Sequence, residues 1–275
     1  MEQPILSVQG LEYAYEEGKH ALEHISLDVY AGEKIAVLGT NGAGKSTFFL
    51  CLNGVLEPHA GEIRLHGTAI DARSRNALRE HVGVVFQNAD DQIIASTVLA
   101  EISFGPMNLR LPKQEVERRV EHAIATMDLE AFRNRPPHYM SGGEKKRVSI
   151  ADIIAMESEV ILFDEPAASL DPAGAEMLEQ VLESLSRAGK TLLISTHDMD
   201  FAFRWASRIV VFCNGKIIAD GSPLAVFENQ EIIERANLRQ PTMLEVFSRL
   251  RAHGLVPAQA DCPRIPQDLD VLLDS

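Results

Sequence analysis

Cysteine is scarce in this sequence: Cys51, Cys213 and Cys262 are the only three in 275 residues. Odd in number, scattered and in no CxxC spacing, they exclude a disulfide framework and a zinc site and read as reduced thiols of a cytosolic chain. Basic charge is the second shortage. Twenty-six Lys and Arg stand against forty Asp and Glu, a formal net charge of −14, which argues against nucleic acid as a partner and against a polybasic grip on anionic lipid. Long apolar runs are missing too. None approaches the roughly 20 residues that span a bilayer, so no direct membrane insertion is expected and any membrane connection must run through another chain. The opening MEQPILSVQG lacks a basic region ahead of an apolar run, the pattern of a secretory leader. Internal repeats, heptads and low-complexity tracts are also absent.

What is present is an ordinary globular composition, 45% hydrophobic and 24% charged, with length for one or two domains. Short alternating runs open it, ILSVQ at 5–9, LEYAY at 11–15 and ALEHISLDV at 21–29, and predict a half-exposed antiparallel sheet. Buried-strand runs follow at 34–38 (KIAVL), 82–86, 160–163, 191–195 and 208–212, mostly separated by helical patterns, the signature of an α/β sheet. Between Phe86 and Val160 the pattern is helical only, with Val116, Val120, Ile124 and Met127 on one face and Val148, Ala151, Ile154 and Ala155 on another. This predicts a helical subdomain inserted into the α/β core. After Gly221 come short helices, PTMLEVFSRLRAHGL the clearest, and then a proline-punctuated end expected to pack loosely.

One stretch breaks local rules. In YMSGGEKKRV, residues 139–148, Ser141 and Glu144 form a capping-box pattern. Yet Gly142 and Gly143 fill the first turn, where each costs up to about 1 kcal/mol of helix propensity. Lys145, Lys146 and Arg147 then crowd a helix end whose partial charge is already positive. Such violations tend to mark function.

GTNGAGKST at 39–47 matches G-x-x-x-x-G-K-[ST] directly after a buried strand, the context the pattern requires. Gly39, Thr40, Asn41, Gly42, Ala43 and Gly44 would curl backbone N–H groups around phosphate oxygens, with the helix from Lys45 aiming its positive end inward. Lys45 would hold the β- and γ-phosphates and the Ser46 hydroxyl would ligate Mg²⁺. In VILFDEPAASLDP, Asp164 and Glu165 end a buried strand, where α/β sheets bind ligands. Successive strand side chains point opposite ways, so the two carboxylates divide the work: Asp164 partners Mg²⁺, usually through water, and Glu165 orients or deprotonates the attacking water. The bland alternative is a strand ending in solvated acids. Asp171-Pro172 reads as an N-cap followed by proline at the first helical position. His197 and Gln87 each stand at a strand end, and each alone would pass as structural, with Thr196 or Asp198 capping the next helix. Tyr15, alone, is a sheet aromatic.

In this order the elements resemble the ATP-binding subunit of ABC transporters, over nearly the whole chain to about residue 220. GTNGAGKST resembles the family's Walker A loop, VILFDE its Walker B strand and MSGGEKKRV its signature, with Met140 and Glu144 as mild departures around an intact Ser-Gly-Gly core. Gln87 matches the Q-loop, residues 169–171 the D-loop, and His197 the switch histidine. The resemblance implies an α/β P-loop NTPase (RecA-like) core with an N-terminal antiparallel β subdomain, an inserted α-helical subdomain and a C-terminal helical extension. The ATPase domain is expected over 1–235, its core and β subdomain over about 1–87 and 158–220, the insertion over about 88–157, and the extension over 236–275. It further implies a head-to-tail dimer, of two copies or with a paralogue, enclosing two ATP molecules between the Walker A loop of one subunit and the signature of the other. Thr47 then helps at the α-phosphate, Gln87 contacts Mg²⁺ and signals to the membrane partner, His197 contacts the γ-phosphate, and Tyr15 stacks on adenine, with Tyr13 a rival. Ser141, Gly142, Gly143, Glu144 and Asp171 belong to the half-site offered to the other subunit's nucleotide. There the three cations following Glu144 cease to be misplaced, whichever of them faces the polyanion.

FQNADDQI at 86–93, SFGPMNLRLP at 103–112, SGGEKKRVSIA at 141–151 and RANLRQPTMLEVFSRL at 235–250 resemble, more narrowly, the energy-coupling-factor ATPases. The first three are shared with vitamin importers; the fourth favours the cobalt-type group, with cobalt or nickel as cargo. Partners would be an integral membrane coupling subunit and a membrane substrate-binding subunit, holding the ATPase peripherally at the cytoplasmic face. Acidity would complement the Lys/Arg-rich cytoplasmic loops of such partners, though it equally serves solubility. The competing readings are an iron–sulfur-assembly scaffold ATPase, which shares an SGGEKKR-like signature, a chromosome-maintenance ATPase or translation factor, for which the chain is too short, and a nucleotide-binding regulator. No metal-ligand cluster beyond the Mg²⁺ site is visible in the sequence.

Overall fold

Short strands buried at every position dictate the centre of this molecule, because such strands need cover on both faces. The computed structural model describes residues 3–16, 18–168, 170–257 and 259–273, side chains of 271–273 apart. The chain opens with β1 (Leu6–Ala14), β2 (His20–Val29) and β3 (Lys34–Leu38), enters helix α1 (Lys45–Leu52), and passes through β4 (Ala60–Leu65), β5 (Thr68–Ala69) and α2 (Asn76–His81) to β6 (Val82–Val85). Helices α3 (Val98–Asn108), α4 (Lys113–Thr126) and α5 (Gly142–Met156) follow. The chain returns as β7 (Val160–Asp164), α6 (Pro172–Arg187), β8 (Thr191–Ser195), α7 (Met199–Trp205), β9 (Arg208–Cys213) and β10 (Lys216–Gly221). It ends in α8 (Pro223–Phe227), α9 (Gln230–Arg235), α10 (Thr242–Ala252) and α11 (Pro266–Leu273).

Two sheets result, an antiparallel one in the order β2-β1-β4-β5 and a six-stranded one in the order β10-β9-β3-β8-β7-β6. The larger is parallel from β9 to β6, with β10 antiparallel at its edge. Alternation assigns each strand's faces to two cores. Ile161 and Phe163 of β7 join a core with the inserted helices and C-terminal segments, whereas Val160 and Leu162 join a second core with α1 and the antiparallel sheet. Asp164 has the parity of Val160 and Leu162, so its carboxyl is delivered to the α1 side of the sheet.

Several elements differ from the sequence expectations. The runs at 5–9 and 11–15 are one strand, β1, whose register against β2 shifts between Val8 and Leu11. Gly10, at φ +58°, takes up that irregularity, and the bulge breaks the alternation into two apparent strands. Short β4, β5 and β10 escaped notice because they are partly exposed. So did α3, which carries Gly105 and Pro106; a Cβ at Gly105 would run into Met156 of α5, so the glycine allows close helix packing. The proline-punctuated end is tied down at Arg264, which donates to the Ala206 carbonyl at 2.9 Å with its guanidinium 5.9 Å from the Phe203 ring, while most of its other described residues are partly or fully exposed.

Candidate functional site: two separate cavities

The phosphate loop is shaped by glycines at two tight points. Gly44, at φ +108°, is the N-cap of α1, and a Cβ there would lie 2.6 Å from the Ala21 carbonyl. Gly39, at φ +142°, sits against the Phe212 carbonyl, again without room for a side chain. The loop is thereby pressed onto β2 and β9, and with the N-terminus of α1 it borders a cleft of about 370 Å³. Asn41 through Thr47, Gln87, Glu165 and Tyr15 line it, together with Lys19, His20 and Ala21 from the β1–β2 hairpin. Thr40 and Gly39 line a neighbouring cavity with His197.

Lys45 is buried and donates to the Gly39 and Thr40 carbonyls at 2.7 and 3.2 Å. Burial pulls its pKa below the ordinary lysine value, against the opposing pull of Glu165 and Asp164. Tyr15 Oη lies 3.0 Å from Thr47 Oγ1, and its half-exposed ring faces the cleft. Tyr13 instead stacks on His59, ring centroids 5.2 Å apart and nearly parallel.

At the end of β7 the carboxylates separate as strand geometry requires. Asp164 is buried and accepts a 2.6 Å hydrogen bond from the Ser195 hydroxyl. Glu165 leaves the strand at φ +44°, a left-handed backbone that turns its carboxylate to His197, whose Nε2 is 2.6 Å from Oε1. A non-glycine residue held there marks strain of the kind found at functional sites. Ser195 was not singled out from sequence; it faces Asp164 only because β7 and β8 pair in that register. Asp198 caps α7 and Thr196 accepts its N–H, the structural roles the sequence allowed.

The residues fit a magnesium nucleotide. Ser46 and Gln87 are exposed to the cleft and their side-chain oxygens have no protein hydrogen-bond partner among the described residues; with Asp164 they make an all-oxygen set of the kind a hard cation takes.

A second cavity lies elsewhere. Ser141 caps α5 in a full capping box: its hydroxyl accepts from Glu144 N at 3.3 Å and its own N–H donates to Glu144 Oε2 at 2.7 Å. That backbone bond holds the Glu144 carboxyl below its usual range. Gly142 and Gly143 leave open space in the first turn, and with Asp171, the N-cap of α6 through Gly174 N at 2.8 Å, they line a cavity of about 550 Å³. Of the three cations only Arg147 reaches this cavity. Lys145 pairs with Asp90 at 2.6 Å. Lys146 is buried, donates to the Phe86 and Gln87 carbonyls at 2.7 Å each, and is pushed down to about 8 by burial. Ser169, within the D-loop resemblance, lies outside the described residues.

A phosphate loop after a buried strand, a carboxylate pair at the end of the next-but-one strand and a glycine-started helix define a P-loop nucleotide-binding protein with a helical insertion. The ABC transporter family matches residues 22–168, and the chain belongs to that family as an ATP-binding subunit of the energy-coupling-factor type. It is 45% identical over 257 residues to the energy-coupling factor transporter ATP-binding protein EcfA of Methanocaldococcus jannaschii, covering 93% of this chain and 92% of that one. It is 44% identical over 273 residues to the cobalt import ATP-binding protein CbiO of Rhodobacter capsulatus, covering 98% and 96%. The structure of CbiO1 from Clostridium perfringens, described as part of the CbiONQ complex, superposes with a TM-score of 0.74 at 38% identity, covering 91% of this chain and all of that one. Two other relatives are longer, and the chain spans 60% and 64% of their length.

Proposed function

We propose that this chain binds and hydrolyses ATP as one of two nucleotide-binding subunits that power an energy-coupling-factor importer for cobalt or nickel ions. One observation carries the dimer: among the described residues the phosphate-loop cleft and the Ser141–Asp171 cavity share none of their lining, so each is half of a site that a second copy or close paralogue completes. Helix N-termini bind anions, and bare glycines in the first turn of α5 let a phosphate approach closely.

In the closed site Lys45 and the loop N–H groups hold the phosphates, Thr47 supports the α-phosphate, and Tyr15 stacks on the base. Ser46, Gln87 and Asp164 would hold Mg²⁺, which supplies Lewis-acid neutralisation of phosphate charge. Glu165 accepts the proton of the attacking water, and His197 orients that carboxylate and meets the γ-phosphate. Residues 1–235 form the ATPase domain and 236–275 an extension anchored to α7, where Asp200 accepts the Thr242 N–H at 2.6 Å.

Among the described residues no helix is long and apolar enough to cross a membrane. The membrane partner would meet the inserted helices beside Gln87, where Ile94, Phe104 and Met107 are exposed, and the chain would sit at the cytoplasmic face. The relative named for cobalt import supports this choice of cargo. Expression with candidate membrane subunits, followed by uptake of labelled cobalt, nickel and vitamins, tests all of it: metal uptake with co-purification is expected. Vitamin uptake alone would reassign the cargo, and recovery only with soluble cluster-assembly proteins would overturn the transport role.

A further inference from the structure

We propose a second metal site, for a borderline divalent ion such as Zn²⁺, Co²⁺ or Ni²⁺, formed by His66, His81 and Glu159. The three are far apart in sequence and in no ligand spacing; the fold brings them together. His66 lies in the turn joining β4 to β5, His81 ends α2 just before β6, and Glu159 stands one residue ahead of β7. The site is therefore at the N-terminal roots of β6 and β7, the opposite end of the sheet from Asp164 and Glu165.

The geometry is convergent. His66 Nε2 lies 2.9 Å from Glu159 Oε2, and His81 Nδ1 lies 2.7 Å from Oε1 of the same carboxylate. One ligand atom from each residue falls within 4.8 Å of the others. Bonds of about 2.0–2.2 Å to nitrogen and oxygen in a tetrahedral site put ligand atoms roughly 3.3 Å apart. Each ring is already within that distance of one carboxylate oxygen, His66 of Oε2 and His81 of Oε1, so side-chain rotations within the 4.8 Å cluster suffice to bring one atom of each onto an ion. His66, half-exposed in a two-residue turn, has the freedom to rotate, and its exposure leaves water the remaining position. Two imidazoles and a carboxylate suit Zn²⁺, Co²⁺ or Ni²⁺, whereas Mg²⁺ prefers oxygen alone. The ion bound with nucleotide at Ser46 therefore does not compete here. Bound metal would tie the antiparallel sheet's turn to the roots of the two strands, one of which ends in the catalytic carboxylates.

The site is independent of the importer's cargo. Its test is isothermal titration of the untagged, nucleotide-free full-length chain with zinc chloride, repeated with cobalt chloride read by visible absorbance. One equivalent should bind, and His66→Asn, His81→Leu and Glu159→Gln should each weaken it about tenfold or more, while Glu12→Gln, at the surface His24 pair, leaves it unchanged. His66→Asn is the deciding variant should another fail to fold, because asparagine accepts the left-handed backbone at φ +48°. Its thermal unfolding and ATP affinity without metal should match the parent. No saturable binding, or binding that His66→Asn leaves intact, overturns the proposal.

Discussion

Ser195 donates its hydroxyl to Asp164 across 2.6 Å, joining the C-terminal ends of two parallel strands. The same oxygen accepts the Glu165 N–H at 2.9 Å, so one buried hydroxyl holds both the Asp164 carboxylate and the backbone from which Glu165 departs. Ser195→Ala should cost about 1–3 kcal/mol of stability, the penalty for leaving buried polar groups without their partner. It should lower kcat more than it raises the KM for ATP, because the phosphate loop is untouched. Denaturant unfolding and steady-state kinetics measure the two effects; a lower stability with kcat unchanged would reduce Ser195 to a structural role.

Glu165→Gln keeps the side chain's shape and its reach to His197 but removes the proposed base. ATP binding should persist, turnover should fall by about 10²–10⁴-fold, and an ATP-bound dimer should accumulate in size-exclusion chromatography. Hydrolysis at the parent rate would remove Glu165 from the water-activating position.

Tyr13 and Tyr15 should separate in degree. Tyr15 faces the cleft and touches Thr47, so Tyr15→Ala should raise the Kd for ATP about tenfold, roughly the value of one lost ring contact of about 1.4 kcal/mol. Tyr15→Phe, losing only the hydroxyl contact, should change it little. Tyr13 stacks on His59 and meets the Tyr15 ring edge-to-face at 5.1 Å, so Tyr13→Ala should lower the unfolding midpoint and weaken nucleotide affinity less than Tyr15→Ala does. The reverse pattern, read by fluorescent-nucleotide titration, would exchange their roles.

What could be read in the sequence follows its periodicity and its motifs. Predominantly apolar runs gave the parallel strands because burial on both faces leaves little ambiguity, and GTNGAGKST, DE and SGGE are contiguous, so spacing alone exposes them. The residues that escaped depend on pairing across the fold. Ser195 matters through its register with Asp164, Lys146 through a reach of sixty residues in sequence to the Phe86 carbonyl, and His66 through a hairpin turn brought beside β7. The three consecutive cations could not be sorted because the helix sends them to different faces: one to the Ser141 cavity, one to Asp90 and one under the Gln87 segment.

The last prediction concerns a carboxyl in the inserted helices. Asp152 of α5 faces Glu101 of α3, takes a 3.2 Å bond from Gln92 Nε2, and is pushed up to about 7 mainly by burial. A carboxyl raised in the folded state binds more protons there than in the unfolded chain. Its contribution to stability is therefore complete below about pH 4 and is lost as pH climbs through 7. Asp152→Asn removes that loss. The variant should match the parent near pH 4 and exceed it above pH 7 by about 2 kcal/mol, less than the roughly 4 kcal/mol of the full shift because the group is not sealed from water. Because Gln92 also accepts the Phe86 N–H at 3.2 Å, beside Gln87, the same substitution should stiffen the Gln87 segment, measurable as slower amide exchange there. Parallel stability curves for parent and variant between pH 4 and 8 would show that Asp152 keeps the same charge in the folded and unfolded chain.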